Sequence, residues 1–167
     1  RYGIPIYATG GTIARMKKMK SLGAIDEGLY HVICADRRFT IGDVEVEPFR
    51  ISHDAAEPVA FRFSCGGKSA AVATDMGVYT DYIVEHLKEL DVLLLEANHD
   101  IQMLQVGPYP YPLKQRILGE CGHLSNESAG QLLCRVLNDH MKKIYLGHLS
   151  RENNYAELAY ETVKLEI

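Results

Sequence analysis

The sequence predicts a layered α/β fold in which helices pack against a sheet. Between residues 30 and 74, β-branched and aromatic residues are broken by turn residues, which is typical of antiparallel strands. After Thr80, segments with apolar residues at helical spacing alternate with short apolar runs. Strands followed by helix–strand units are characteristic of a layered α/β sandwich.

Composition limits the class of protein. The 167 residues are 47% hydrophobic, which fits one globular domain, and 18 basic against 22 acidic residues give a net charge of -4. This balance gives no general attraction to nucleic acid, although a local basic strip remains compatible with it. Four cysteines without CxxC spacing favour reduced thiols in a cytoplasmic protein, and no apolar run reaches the ~18 residues of a membrane span.

The first half is predicted to be mostly antiparallel sheet. Residues 4–8 form an edge or entry strand, and Thr9 is the expected N-cap of a basic helix that runs to about Lys20. Two or three strands follow between residues 30 and 52, the last of which leads into His53. A hairpin then joins residues 59–65 to residues 69–74 through the Gly66-Gly67 turn.

The second half is predicted to alternate helices with strands. Helices are expected over residues 80–90, 125–137 and 153–164, with Ser125 as an N-cap, and strands over residues 92–95 and 143–146. Proline interrupts residues 107–112, so we predict neither a helix nor a strand there. The whole chain, residues 1–167, is interpreted as one domain.

Polar side chains follow several of the predicted strands. Asp75 ends the glycine-bounded apolar run of residues 68–77, where it either performs chemistry or only caps the next turn. His53 and His148 stand at equivalent positions after two other strands, and either histidine alone could be a surface or core residue. Two imidazoles and one carboxylate form a ligand set suited to Zn²⁺, Mn²⁺ or iron.

Two further positions support this hypothesis. His123 precedes a predicted helix N-terminus, where it could protonate a bound phosphate or could simply precede the N-cap. Glu96 and His99 follow the most apolar strand, and they are candidates for orienting metal-bound histidines by hydrogen bonding.

The segments ISHDA, ATDMG, LLEANHD, YPLKQRILGECGHLSNESAG and LGHLSRENN, in this order, resemble the metallo-β-lactamase superfamily. The likeness extends over essentially the whole chain and is most specific to the YycJ (WalJ, VicX) branch of bacterial metallo-hydrolases. It implies an αββα sandwich with two divalent metal ions, Zn or Mn or alternatively iron. It also implies that Asp75 bridges the two metal ions and that His53 and His148 each complete the ligand set of one ion. His123 is implied to bind or protonate the scissile phosphate.

One expected motif is absent from the sequence. The family's HxHxDH motif occurs nowhere in the 167 residues, and a segment similar to the first residues of this chain follows that motif in the family. We therefore expect a sandwich that lacks its N-terminal strands and four metal ligands and is inactive alone. Such a domain should be poorly stable unless another chain, such as a second copy, covers its edge. A naturally shortened, non-catalytic relative is the alternative.

The resemblance implies hydrolysis of nucleic-acid phosphodiesters by the complete enzyme, as an exonuclease on DNA in preference to RNA. Lys114 and Arg116 are candidates for phosphate contacts, or they form an exposed charged helical turn. Ser125 and Asn126 are further candidates for nucleic-acid binding. The alternatives are a hydrolase of small esters or thioesters and a metal-free binding domain. No membrane partner is expected.

Overall fold

The computed structural model describes residues 3–167. The two N-terminal residues of the single domain predicted over residues 1–167 lie outside the described part. Within the described residues, eight strands form two sheets with the orders β1-β2 and β3-β4-β5-β6-β7-β8. The strands are β1 (Ile6–Thr9), β2 (Tyr30–Ile33), β3 (Phe39–Ile41), β4 (Val44–Arg50), β5 (Val59–Cys65), β6 (Lys68–Ala73), β7 (Val92–Glu96) and β8 (Lys143–Gly147).

The larger sheet is mixed. Strands β3 to β6 pair antiparallel, as the sequence predicts, whereas β6, β7 and β8 pair parallel. The predicted hairpin joins β5 to β6 through Gly66 and Gly67, whose φ angles of 55° and 73° are readily adopted by glycine. Since β4 is antiparallel to β5 and β5 to β6, the strands β4, β6, β7 and β8 all run in the same direction. Their carboxyl ends therefore lie along one edge.

Among residues 3–167, the α-helices are α1 (Gly10–Lys17), α2 (Asp81–Leu87), α3 (Ile101–Val106), α4 (Tyr111–Leu118), α5 (Asn126–Val136) and α6 (Ala156–Glu166). Alternate residues of the sheet, including Ala71 and Leu93, are buried in one apolar cluster with α2, α5 and α6. In contrast, Val72 is 40% exposed, because successive residues of a strand point to opposite faces. The helices thus cover one face of the larger sheet, as the predicted layers require.

Several predicted boundaries in the first half need correction. The strands β1 and β2 form a separate parallel pair, so the antiparallel prediction is wrong for them. Thr9 is the N-cap of α1, as predicted, and its Oγ1 accepts a hydrogen bond from the backbone N–H of Thr12. However, α1 ends at Lys17, and residues Lys20–Leu22 form a separate 3-10 turn.

In the second half, the helix predicted over residues 80–90 ends at Leu87. Glu89 has a positive φ of 55°, and the Arg62 guanidinium binds the carbonyl oxygens of His86 and Lys88 at 3.0 and 2.7 Å. The last helix begins at Ala156 rather than at residue 153. Helix α3 was not predicted, and α4 begins inside the segment predicted to be irregular, since proline fits the first turn of a helix.

Two features of the described residues concern the cellular environment. All four cysteines are free and exposed. None of the helices between residues 3 and 167 has the length and apolar character needed to cross a bilayer.

Candidate metal centre

The shared edge of the larger sheet brings the predicted site residues together. His53, Asp75, Glu96 and His148 follow or end the strands β4, β6, β7 and β8, whose carboxyl ends lie on this edge. Parallel strand direction therefore places side chains that are far apart in sequence around one point.

Asp75 is at the centre of the group. Its Oδ1 atom lies 3.7 Å from Nε2 of His53 and 3.6 Å from Nε2 of His148. Both Asp75 and His148 have positive φ angles, 62° and 56°, which side-chain-bearing residues seldom adopt. Backbone strain of this kind is concentrated at functional sites, where the surrounding structure holds it in place.

Glu96 lies beneath this group and is fully buried. Its Oε1 atom lies 2.7 Å from Nδ1 of both His123 and His148. The Oε2 atom accepts hydrogen bonds from the backbone N–H groups of Met76 at 2.8 Å and Leu124 at 3.4 Å. An ionised carboxylate only accepts hydrogen bonds, so the two imidazoles donate from Nδ1. The hydrogen bond to Glu96 raises the pKa of His123 above its usual range.

The third imidazole is oriented by the backbone. Nδ1 of His53 lies 3.2 Å from the carbonyl oxygen of Gly122, an acceptor, so this nitrogen also carries the hydrogen. The ring of His123 lies between those of His53 and His148, with centroid separations of 5.1 Å to each. All three rings use Nδ1 for hydrogen bonding, which leaves Nε2 available as a metal ligand or proton donor.

The geometry around Asp75 fits a divalent metal. Ligand atoms at a tetrahedral Zn²⁺ are about 3.4 Å apart when the bonds are about 2.1 Å. The separations of 3.6 and 3.7 Å from Asp75 Oδ1 to the two Nε2 atoms are close to this value. Ligand atoms of His53, Asp75 and His123 also lie within 4.8 Å of one another.

A second group with this spacing consists of Glu96, His123 and His148. Here the nitrogen and oxygen atoms are only 2.7 Å apart, the distance of charge-assisted hydrogen bonds. Glu96 thus holds both imidazoles through Nδ1, and the separations at Asp75 are the ones close to those between the ligands of a metal.

Asparagine side chains fix the loop that carries His148. Nδ2 of Asn98 donates to the carbonyl oxygen of His148 at 2.8 Å. The buried Asn154 donates from Nδ2 to the carbonyl oxygen of Ala97, also at 2.8 Å. Neither asparagine was singled out from the sequence, although both lie in motifs, NHD and RENN, that carry the family resemblance.

Three predicted residues lie away from the ligand cluster. His99 is 1% exposed, and neither of its ring nitrogens has a hydrogen-bond partner among residues 3–167. Burial lowers the pKa of His99 to about 4. Asn126 is fully buried and exchanges two side-chain hydrogen bonds with Asn154, and Ser125 is the buried N-cap of α5. The structure therefore places Ser125 and Asn126 in the interior rather than at a nucleic-acid-binding surface.

Lys114 and Arg116 lie on the helix α4 that leads to His123. Nζ of Lys114 donates to the carbonyl oxygen of Gln105 at 2.7 Å. The guanidinium of Arg116 binds Asp54 through both carboxylate oxygens, and this hydrogen bonding lowers the pKa of Asp54. Asp54 also approaches the metal centre, since its Oδ1 atom lies 3.6 Å from Nε2 of His53. Asp54 was not predicted as a site residue, although it directly follows His53.

Comparison with known proteins identifies the family. The model of the β-lactamase superfamily domain matches residues 1–148. The chain belongs to this superfamily. Among solved structures, the metallo-β-lactamase fold protein YhfI from Bacillus subtilis superposes with a TM-score of 0.68 at 17% identity, covering 98% of this chain and 58% of YhfI. This likeness confirms the predicted fold class.

Curated relatives lie within the predicted branch of the superfamily. Exodeoxyribonuclease WalJ of Streptococcus pneumoniae is 42% identical over 163 residues, and the match covers 98% of this chain and 61% of WalJ. Exodeoxyribonuclease YycJ of Bacillus anthracis is 38% identical, with the same coverage. The resemblance to the YycJ and WalJ branch is thereby confirmed, and this chain spans about three fifths of the length of these relatives.

Proposed function

We propose that this chain carries the carboxyl-terminal half of a metal-dependent phosphodiesterase site that acts on nucleic acid, as an exonuclease on DNA in preference to RNA. One observation carries the proposal: three imidazoles with Nδ1 engaged meet around Asp75, two of them oriented by Glu96. The names of the two exodeoxyribonuclease relatives support DNA as the substrate.

His53, Asp75 and His148 would hold the metal ions. When bound, two divalent ions lower the pKa of a water molecule and neutralise charge on the phosphodiester. The donor set suits Zn²⁺, Mn²⁺ or iron. The hydrogen bonds from Nδ1 of His53 to Gly122 and from Nδ1 of His148 to Glu96 direct both Nε2 atoms towards Asp75, where they can bind a metal.

His123 would act as the proton donor. The hydrogen bond from Nδ1 to Glu96 raises the pKa of His123, so its protonated form persists to higher pH. The proton on Nε2, which lies among the ligands, can then pass to the leaving oxygen of the phosphodiester. Glu96 accepts hydrogen bonds from two backbone N–H groups and from both imidazoles.

Two ions need more ligands than the residues at Asp75 provide. We propose that a segment with the HxHxDH pattern, preceding this chain in a longer protein, supplies the remaining ligands and covers the sheet edge. The 167-residue chain would then be inactive alone, and a second copy could cover the edge in its place. A cytoplasmic location is proposed on the basis of the free cysteines.

One observation favours a second candidate function. A cleft of about 510 Å³, largely apolar in its lining, opens beside His53 and Asp75. Clefts of this volume commonly bind small molecules, so hydrolysis of a small ester or thioester by the same residues is the alternative.

The test compares substrates for the chain and for a form extended at its N-terminus to include HxHxDH. Metal-dependent degradation of end-labelled duplex DNA by the extended form, without hydrolysis of p-nitrophenyl esters or acyl-coenzyme A thioesters, is expected. Hydrolysis of the small esters alone would refute the nuclease proposal and support the second candidate. Absence of bound metal from both forms would favour a metal-free binding domain.

A further inference from the structure

Asp54 and Arg116 form an ion pair at the rim of the metal centre. Nε of Arg116 donates to Oδ2 of Asp54, and a terminal nitrogen donates to Oδ1 at 3.0 Å. The two residues are 62 positions apart in sequence. The pair therefore joins the loop after β4, which carries His53, to the helix α4, which leads to His123.

Both partners are fixed relative to the proposed ligands. The backbone N–H of Asp54 donates to the carbonyl oxygen of Cys121 at 3.2 Å, two residues before His123. The backbone N–H of His123 in turn donates to the carbonyl oxygen of Ile117, the residue after Arg116. The pair is thus part of the same framework as two site imidazoles, rather than a mobile contact between surface side chains.

A small recess is lined by the pair and by two of the site imidazoles. It has a volume of about 20 Å³, and its lining includes the side chains of His53, Asp54, Arg116 and His123. This volume is sufficient for one oxygen atom with its hydrogens, such as a water molecule. A phosphate oxygen at this position would face a guanidinium and the proposed proton donor.

The arrangement leaves part of Arg116 available. Its guanidinium has five N–H donors, and the fork with Asp54 uses Nε and one terminal nitrogen. The side chain is 60% exposed, so the other terminal nitrogen can reach a ligand from solvent. Both oxygens of Asp54 are occupied by Arg116, which disfavours Asp54 as an additional metal ligand although it lies near His53.

We infer that Asp54 is a positioning residue that holds Arg116 as a phosphate-recognition side chain beside the metal centre. The ligand is the backbone phosphate of a nucleic acid, so the inference rests on the proposed function and specifies how its substrate is held. An arginine fixed by a carboxylate has lost its conformational freedom before the substrate arrives, which lowers the entropic cost of the phosphate contact.

The positioning role of Asp54 and the loss of its negative charge have opposite effects on DNA binding by Asp54→Asn. Asp54→Asn removes a negative charge near the substrate, so binding of DNA should become tighter if Asp54 only competes for Arg116. If Asp54 positions Arg116, binding should become weaker instead. The effect should be almost absent in an Arg116→Ala background, because the two residues act as a unit.

The experiment measures the Kd of an end-labelled oligodeoxynucleotide against salt concentration, in chelator-containing buffer that prevents hydrolysis. Arg116→Ala and Asp54→Asn should each weaken binding and reduce the slope of log Kd against log salt by about one phosphate contact. Asp81→Asn is the matched control, because Asp81 pairs with Arg135 at 2.6 Å and neither residue lies on a loop of the metal centre. Tighter or unchanged binding by Asp54→Asn would overturn the inference.

A second variant keeps the test decisive if Asp54→Asn does not fold. Arg116→Lys retains the charge but cannot form the two-pronged contact with Asp54, so it should bind DNA as weakly as Arg116→Ala. Binding equal to that of the parent would contradict a positioning role. Hydrolysis of DNA by the extended form is measured separately. If the extended form degrades DNA but Asp54→Asn binds DNA as tightly as the parent, only this inference is overturned. If the variants show the expected binding but the extended form does not degrade DNA, only the proposed function is overturned.

Discussion

Nδ1 of His148 donates a 2.7 Å hydrogen bond to Oε1 of the fully buried Glu96. The same oxygen accepts the Nδ1–H of His123, so one carboxylate determines the orientation and tautomer of two imidazoles. Because Glu96 ends β7, which is paired with β6 on one side and β8 on the other, the orientation of both rings depends on a buried element of the sheet. The buried side of the candidate metal centre is thus formed by a residue of the sheet.

Replacing Glu96 with glutamine should weaken metal binding. If the amide oxygen accepts from the backbone of Met76, the amide nitrogen faces two imidazole N–H donors and forces a change of tautomer. The Nε2 atoms would then carry hydrogen and could not bind a metal. We expect metal affinity to fall about 10- to 100-fold, measured by competition with a chromogenic chelator.

The control for this change is Glu85→Gln, at an exposed glutamate on α2. It should leave the metal affinity unchanged. Equal affinities of the Glu96→Gln variant and the parent would show that Glu96 does not orient the ligands.

The pKa of His99 predicts acid sensitivity. Burial lowers this pKa to about 4, so His99 is neutral in the folded state, whereas an unfolded chain protonates it below about 6.5. The part of the free energy of unfolding that is linked to His99 is therefore fully present above about pH 6.5. It is lost as the pH falls towards 4. The linked change is roughly 3 kcal/mol over this interval. Urea unfolding of His99→Leu should show a shallower loss of stability over the same pH range.

The exposed His140 provides the comparison for this experiment. His140→Leu should retain the acid sensitivity of the parent. A His99→Leu profile parallel to that of the parent would mean that other groups cause the acid response.

Gly77 is predicted to be essential for the packing of the site loops. A Cβ atom at this position would lie 2.3 Å from the carbonyl oxygen of Glu120 and 2.5 Å from the backbone nitrogen of Gly122. Gly77→Ala should therefore displace the loop before His123 and lower the free energy of unfolding by about 1–3 kcal/mol, measured in urea. Gly10→Ala meets no atom nearer than 3.9 Å and should not destabilise the protein. Equal stability of the two variants would contradict this account of the packing.

The sheet edge that carries the candidate site was predictable, because most of its strands are marked in the sequence by a short apolar run. Short apolar runs are each followed by a polar residue, as at Asp75 and His148, and parallel strands place such ends together. Helix α4 could also have been found, since Pro112 lies in its first turn and proline is favoured there.

Other features depend on contacts between distant segments. The fork between Asp54 and Arg116 joins positions 62 apart, and no local pattern marks either residue as the partner of the other. Likewise, the positive φ of Asp75 follows from the packing around it rather than from its own preference. The parallel pairing of β1 with β2 was also missed, because it joins two segments that are distant in sequence. Each strand is only four residues long, so its local pattern is weak.

We propose that Asp75 holds the metal ions required for DNA degradation. The most direct measurement is the metal content per chain, after chelator washing and reconstitution with Zn²⁺ or Mn²⁺, of the N-terminally extended form and its Asp75→Asn variant. Exposed Asp139→Asn serves as the control. We predict two metal ions and DNA degradation in the parent and control, with both properties lost in Asp75→Asn. Retention of both metal ions by Asp75→Asn would contradict the account.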